Sequence, residues 1–310
     1  MPRAVRFDRY GDVDVLRVDD VPMPEAEAGC VVVRVMAAGL NPGEIPVREG
    51  AFEERWPTRF PSGQGSDFAG VVEAAGAGAD AFAVGDAVLG WSDERGAQAD
   101  FVSVPADHVT AKPAGLPWTE AGALAVAGFT AISLRDAVDA DEDDTVVVAG
   151  AAGGVGILTV QLLRRRGARV IGLASEGHHA LLRGLGAEPL DYHGDDLADR
   201  VRAVATDGVT ALLDTHGGGY VDLGVELGVP RERIVTIIDF AAAEEHGTAT
   251  TGQAVSQSAD RLAELAVLAA DDGLVVPIEA RYPLSEVREA YRRLAERHVA
   301  GKIVLDVAAG

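Results

Sequence analysis

The chain has a single cysteine, Cys30, among 310 residues. That excludes an intrachain disulfide framework and a cysteine-rich zinc site. Cys30 stands beside the apolar run "VVVRV" and reads as a small strand residue rather than a reactive thiol. The opening "MPRAVRFDRYGDVDV" lacks the apolar core of a secretion signal. The longest apolar run, Ala121 to Leu134, falls short of the ~18 residues a membrane span needs. Positive charge is scarce: 27 Lys and Arg stand against 49 Asp and Glu, a formal net charge of −22. So acidic a surface repels phosphate backbones and anionic lipids, which argues against nucleic-acid and membrane partners. The seven histidines show no metal-ligating spacing and no Ser-His-Asp arrangement. The expectation is a cytoplasmic protein acting on a small-molecule substrate.

Hydrophobic residues make up 48% and charged residues 25%, a globular profile, and the length predicts two domains. Up to about residue 115 the chain reads as short strands, among them "CVVVRVMAAG", "DFAGVVEAAG", "DAVLGW" and "ADFVSVP", each beside Gly, Pro or Asp punctuation. From about Pro117 the stretch "PWTEAGALAVAGFTAISLRDAV" reads as one helix with Thr119 as its N-cap. Apolar strands "TVVVAG", "ARVIGLA", "AEPLDY", "ALLDT" and "RIVTII" then alternate with helices at 154–166, 178–185, 195–205 and about 218–228. That alternation predicts a doubly wound parallel sheet covered on both faces. Residues 241–257 read as a loop or hinge. The tail reads as a helix near 259–271, a strand "LVVPI", a helix 285–297 and a last strand "KIVLDV".

The glycines of "VVVAGAAGGVGIL" lie where the first strand of this series feeds its first helix. The spacing Ala151-x-Gly153-x-x-Gly156 is the dinucleotide fingerprint with alanine in the first place. A pyrophosphate there meets free backbone N–H groups and the positive end of a helix dipole. At the end of the second strand, "GLASEGHH" offers Ser175 where an NAD site places an acid. A short hydroxyl leaves room for a 2′-phosphate, whose charge His178, His179 and Arg183 offset and to which Tyr192 donates. Glu176 argues the other way. The balance favours NADPH.

With these pieces in place, the chain resembles the medium-chain dehydrogenase/reductase superfamily, in its zinc-independent quinone oxidoreductase branch. The segments "VRFDRYGDVDVLRV", "VRVMAAGLNPGE", "GSDFAGVVEAAG", "VGDAVLG", "GAQADFVSVP", "LAVAGFTA", "AGAAGGVG", "GLGAEPLDY", "YPLSEVREAYRRL" and "GKIVL" carry the likeness nearly end to end. It implies an α/β protein: a GroES-like β-rich catalytic domain, 1–118 with 256–310, and a Rossmann doubly wound parallel-sheet domain, 119–255. It implies a homodimer, an active site in the interdomain cleft, and NADPH-dependent hydride transfer to a quinone or α,β-unsaturated carbonyl. By the same resemblance Gly153, Gly154, Val155 and Gly156 hold the pyrophosphate. Ser175, His178 and Tyr192 grip the 2′-phosphate, with His178 standing where the family more often has Lys. Thr130 lies near the nicotinamide. Two alternatives stay open: a biosynthetic enoyl or enone reductase of a specialised metabolite, and a low-turnover nicotinamide-binding sensor or scaffold.

The zinc-dependent relatives place a Cys ligand where this chain has Asn41 and a His ligand where it has Ser66, so no metal is expected. Asn41 and Glu44 are the candidate catalytic residues, Asn41 for polar contact or orientation near the reacting site and Glu44 to orient Asn41 or a water. Phe52, Phe60, Trp91, Gln98 and Phe129 are the candidate substrate pocket, and Phe240 is counted among the cofactor contacts with Ala151. Pro46 and Gln98 stand where related reductases often carry tyrosines. The obvious phenolic acids are therefore missing, which leaves solvent to protonate the product or points to a different substrate.

Overall fold

The computed structural model describes residues 1–54, 57–271 and 273–308. The chain forms two compact units, Met1–Val126 with Ser258–Gly310, and Ala127–Gln257.

The first unit is built around the strand Cys30–Gly39, whose residues Val31–Val33 are buried in succession. It pairs antiparallel with Asp67–Ala75, with Phe101–Pro105 and with Lys302–Asp306. Register shifts between Val32 and Val33 and between Val35 and Ala37 accommodate these partners. The sheet runs Ile278–Pro283, Lys302–Asp306, Cys30–Gly39, Asp67–Ala75, Ala87–Trp91, Val109–Ala111. A smaller sheet joins Arg17–Asp20, Arg3–Phe7 and Ser62–Gly63. The C-terminal strand thus completes a sheet begun by the N-terminal third of the chain. Val304 opposes Gly39, and the Leu40 N–H donates to the Ile303 carbonyl.

The second unit holds six strands in the order Glu188–Leu190, Arg169–Leu173, Thr145–Ala149, Ala211–Asp214, Ile234–Thr236, Ala249–Thr250, all parallel. Thr145–Ala149 is buried throughout, as a central strand covered on both faces requires. Its neighbour on one side follows it in sequence and its neighbour on the other comes from the second half. That reversal marks the switch point at which such sheets bind ligands, at the carboxyl ends of their strands.

Three expected elements differ. The single helix expected from Pro117 is two, Trp118–Ala121 and Ala125–Val138, and Pro117 rather than Thr119 is the N-cap. The interruption falls at Gly122, where a Cβ would lie 2.5 Å from the Ala37 carbonyl oxygen; the Gly122 carbonyl accepts from the Gly39 N–H at 2.7 Å. Backbone pairing with the sheet takes the place of helix continuation there. Residues 241–257 are not one loop: they contain most of the helix Phe240–His246, the strand Ala249–Thr250 and a single 3-10 turn Gln253–Val255. The helix starts because the Asp239 carboxylate accepts from the Ala242 N–H. It ends because Gly247 adopts φ 64°. The strand expected at "LVVPI" begins only at Ile278, and Leu274–Pro277 precede it outside any strand.

Candidate functional site

In the second unit, the strand Thr145–Ala149 turns at Gly150 (φ 70°) into the helix Gly154–Arg165. Gly153 is the N-cap in an extended conformation, and no side chain caps the helix. The first-turn N–H groups therefore lack the carboxylate or hydroxyl that usually meets them. At Gly156 a Cβ would lie 2.2 Å from the Gly150 carbonyl oxygen and 2.8 Å from Ala151 Cα. Absence of a side chain there lets the helix pack against the loop. At Gly153 a Cβ would meet only the Gly150 oxygen within 4 Å, at 3.3 Å. The two glycines thus do different work, one toward the fold and one toward the open side. Ala151 is fully buried, and a Cβ added at Gly172 would touch its methyl at 3.0 Å. Its side chain belongs to the packing of the loop on the next strand. Val155 is half-buried against the same core.

The parallel register pairs Leu173 with Leu190, which sets Ser175 and Tyr192 two residues past the same level of the sheet. The Ala174 N–H donates to the Leu190 carbonyl at 3.1 Å and holds the two chain ends together. Ser175 Oγ and His178 Nδ1 lie 3.3 Å apart. Ser175, His178 and Tyr192 are half-buried, while Glu176 and Arg183 are exposed. His179 turns inward, with Nε2 3.1 Å from the Ala174 carbonyl oxygen. Tyr192 stacks on His193 with ring centroids 4.2 Å apart. Thr130 is 6% exposed on the helix Ala125–Val138, and Phe240 is 47% exposed at the start of its helix.

A feature not singled out from sequence lies at the end of the strand Ala211–Asp214. The buried Asp214 carboxylate accepts from the His216 and Gly217 N–H groups at 2.9 and 2.8 Å and from Thr236 Oγ1 at 2.8 Å. Gly217, Gly218 and Gly219 follow with φ of 79°, 81° and 94°. Three successive left-handed residues are a conformation only glycine adopts readily. Burial pushes the nearby Tyr220 hydroxyl up to about 12, helped by Tyr192 and the Asp214 charge. The run "DTHGGGY" directly after an apolar strand was the available signal.

In the first unit, Asn41 and Glu44 sit in a buried polar cluster. The Glu44 carboxylate accepts from the Asn41 N–H (3.1 Å), Asn41 Nδ2 (3.4 Å), the Ser66 N–H (3.1 Å) and Tyr291 Oη (2.5 Å). Asn41 Nδ2 also donates to Asp67 Oδ2 at 3.1 Å, and Asn41 Oδ1 accepts from Lys302 Nζ at 2.5 Å. Asp67 is 0% exposed and accepts in addition from the Val126 N–H at 2.8 Å. Burial pushes the Glu44 carboxyl up from its ordinary 4.5, and the Tyr291 hydroxyl and Asn41 N–H pull it back. All four of its partners donate, which favours the ionised form. Burial, then the charge of Glu44, pushes the Tyr291 phenol well above its usual range. The phenol is neutral and donating.

A phenol from elsewhere in the chain, Tyr291, is buried beside Glu44 and Gln98. Gln98 is 0% exposed, and its Nε2, like that of Gln64, donates to Tyr291 Oη at 2.8 Å. Gln98 therefore holds Tyr291. Trp91 is 4% exposed and stacked on His108 at 4.6 Å, and Phe129 is 1% exposed; both are core residues rather than an open aromatic surface. Phe52 is half-buried. Phe60 is 41% exposed and packs edge-on against Phe7 and Tyr10 at 5.8 and 5.0 Å.

A GroES-like β unit and a parallel dinucleotide-type sheet in one chain are the two parts of the medium-chain dehydrogenases. The comparisons agree. Residues 27–114 match the family described as "Alcohol dehydrogenase GroES-like domain", and residues 185–305 match "Zinc-binding dehydrogenase". The quinone oxidoreductase of Mus musculus is 29% identical over 330 residues, covering 97% of this chain and 95% of its own. The structure of the quinone oxidoreductase from Coxiella burnetii superposes with a TM-score of 0.88 at 30% identity over 99% of both chains. A mycobacterial protein solved in complex with NADPH superposes at 0.85 with 27% identity, over 99% of this chain and 100% of that one. The chain belongs to the quinone oxidoreductase branch of the medium-chain dehydrogenase/reductase superfamily. Among the described residues no helix is long and apolar enough to cross a membrane.

Proposed function

We propose that the protein is an NADPH-dependent, zinc-independent reductase of quinones or α,β-unsaturated carbonyls. The observation that carries this reading is the uncapped helix Gly154–Arg165 at the end of the central strand, with Ser175 rather than an acid at the end of the next. The helix start presents N–H groups to a pyrophosphate through Gly153, Gly154, Val155 and Gly156. Ser175, His178 and Tyr192 offer a hydroxyl, an imidazole and a phenol to a 2′-phosphate. A bound nicotinamide supplies the hydride. The protein's task is to orient the acceptor and to stabilise the negative charge that grows on its oxygen. The relatives' names support the acceptor class, and the NADPH complex of the mycobacterial structure supports the cofactor. The resemblance further supports a homodimer acting in the cytoplasm.

The residues of the first unit do not fit a catalytic zinc. Asn41 and Ser66 are poor ligands for it. The Lys302 ammonium already occupies the Asn41 oxygen at 2.5 Å and stands 3.4 Å from Asp67 Oδ2. A dication placed there would have to displace that ammonium from the Asn41 oxygen.

Titration with each reduced nucleotide, followed by nucleotide fluorescence, tests the cofactor assignment. NADPH is expected to bind at least about tenfold more tightly than NADH, a difference of about 1.4 kcal/mol. His178→Ala is expected to narrow that gap by weakening NADPH and leaving NADH unchanged. Equal or tighter binding of NADH by the unmodified protein removes Ser175, His178 and Tyr192 from the assignment.

A further inference from the structure

We propose that Lys302 is a positioning residue of the reaction site: its buried ammonium fixes the Asn41 carboxamide and is the cation toward which the acceptor's oxygen is oriented. The inference rests on the reductase reading above and names a residue outside the glycine loop and outside the Asn41–Glu44 pair.

The geometry begins at Gly301. It adopts φ 89°, and a Cβ there would lie 2.3 Å from the Pro277 carbonyl oxygen. The Lys302 N–H donates to that same carbonyl at 2.9 Å. The backbone entering the last strand is therefore pinned, and the strand register delivers Lys302 beside the end of Cys30–Gly39. Its side chain is 5% exposed. A buried ammonium is costly unless it is met by oxygens, and here Asn41 Oδ1 and Asp67 Oδ2 meet it. Among the described residues it has these two partners, and three N–H groups to donate. One N–H remains for a further oxygen.

The same contacts settle what Asn41 can do. Its oxygen is taken by Lys302, and both hydrogens of its Nδ2 face carboxylates, Asp67 at 3.1 Å and Glu44 at 3.4 Å. The flip state of the carboxamide is fixed by charge: oxygen toward the ammonium, nitrogen toward the acids. Asn41 therefore has no free donor for a substrate oxygen. Glu44 has none either, because its four partners all donate to it. Tyr291 donates its hydrogen bond to Glu44, and Arg48, whose guanidinium lies 5.3 Å from the Tyr291 ring, is 2% exposed. Arg48 also carries a positive charge and an unpartnered Nη1, but among the described residues Lys302 is the cation bonded to both Asn41 and Asp67. A hydride acceptor gains negative charge on oxygen, and an ammonium set by two fixed oxygens needs no reorganisation to complement it.

The test is turnover of NADPH with phenanthrenequinone by wild type, Lys302→Met, Lys302→Arg, Asn41→Leu and the Asn41→Leu/Lys302→Met double variant. NADPH affinity and thermal midpoint are measured on each. Lys302→Met is expected to keep NADPH affinity within about twofold and to lose about a hundredfold in kcat with KM moved less than about threefold, the size of loss that misplacement by an ångström brings. Asn41→Leu is expected to behave alike. Because one acts through the other, the double variant is expected to be no slower than the slower single, and its fall in thermal midpoint smaller than the two single falls combined. Lys302→Arg, which keeps the charge but not its position, falls between wild type and Lys302→Met. Losses that multiply in the double variant, or a change confined to KM, overturn the positioning role. Should Lys302→Met not fold, Asn41→Leu and Lys302→Arg decide: full turnover in both overturns it. A wild type that binds NADPH but reduces no quinone or enone overturns the reductase reading and this role with it. An active wild type matched by an equally active Lys302→Met overturns this role alone.

Discussion

Replacing Gly156 by alanine is expected to weaken NADPH binding about thirtyfold and to lower stability by about 2 kcal/mol, the cost of forcing a methyl into a packed backbone contact. The cause is local. The new Cβ would lie 2.2 Å from the Gly150 oxygen and 2.8 Å from Ala151 Cα, and both are backbone atoms with no rotamer to escape into. Gly150 itself sits at φ 70°, with Thr215 and His216 against it, so the loop has little room to retreat. Gly153→Ala is the informative partner. Its backbone is extended, and only the Gly150 oxygen, at 3.3 Å, crowds a methyl there. Stability is expected to change by less than about 1 kcal/mol, in line with exchanges at an N-cap. NADPH binding is nevertheless expected to fall at least about tenfold, because the methyl stands where a pyrophosphate approaches the helix start. Urea unfolding and nucleotide titration of the two variants separate the roles. If Gly153→Ala binds NADPH as tightly as wild type, the loop is a tight turn and not a phosphate seat.

Tyr291→Phe is expected to destabilise the protein by about 2–4 kcal/mol, because it leaves several buried polar groups short of partners at once. Glu44 loses its shortest hydrogen bond, and the Gln64 and Gln98 amides lose the oxygen they share. The loss should also depend on pH. Burial raises the Glu44 carboxyl above its ordinary 4.5, so the fold takes up this proton more readily than the unfolded chain does. Its contribution to stability is therefore most favourable below the ordinary value and declines as pH rises through the raised one. The Tyr291 hydroxyl opposes that rise, and removing it extends the decline to higher pH. The gap between Tyr291→Phe and wild type is expected to be wider at about pH 8 than at about pH 5, read from urea unfolding at each. A gap of equal size at both pH values would mean that Glu44 stays neutral in the native protein across this range, and a gap that narrows toward pH 8 that the phenol is not its principal donor.

The parts of this molecule that were legible in its sequence are those governed by near neighbours. The parallel sheet announced itself through continuous apolar strands such as "TVVVA", which have no solvent face to alternate toward. The glycine loop could be read because its strand, turn and helix are contiguous. The helix break at Gly122 could not, since its cause is the carbonyl of Ala37, which lies far away in sequence. The helix Phe240–His246 was missed for another reason. Its cap at Asp239 and stop at Gly247 were visible, but the small polar residues around it outweighed them.

The candidate site divides in the same way. Asn41 and Glu44 stand three residues apart in a short turn-and-helix segment and were found together. Tyr291 and Lys302 were not, because they lie 247 and 261 residues from the partners they serve. Each left a trace. Tyr291 falls on the buried stripe of the helix Val287–Ala295, and Lys302 opens an otherwise buried strand. A lysine at the head of an apolar run usually keeps its ammonium in water. Only the strand register shows that this one ends beside Asn41. Gln98, Trp91 and Phe129 are buried, and residue type alone does not say which face of a strand or helix meets solvent.

The measurement that bears most directly on the central claim is quinone-dependent oxidation of NADPH by protein that has been treated with a strong chelator and shown by elemental analysis to be free of zinc. The account predicts turnover with phenanthrenequinone, para-benzoquinone or a simple enone, unchanged by the chelator and by added zinc. Turnover that disappears with the metal and returns with zinc, or no turnover with any of these acceptors despite tight NADPH binding, would contradict it.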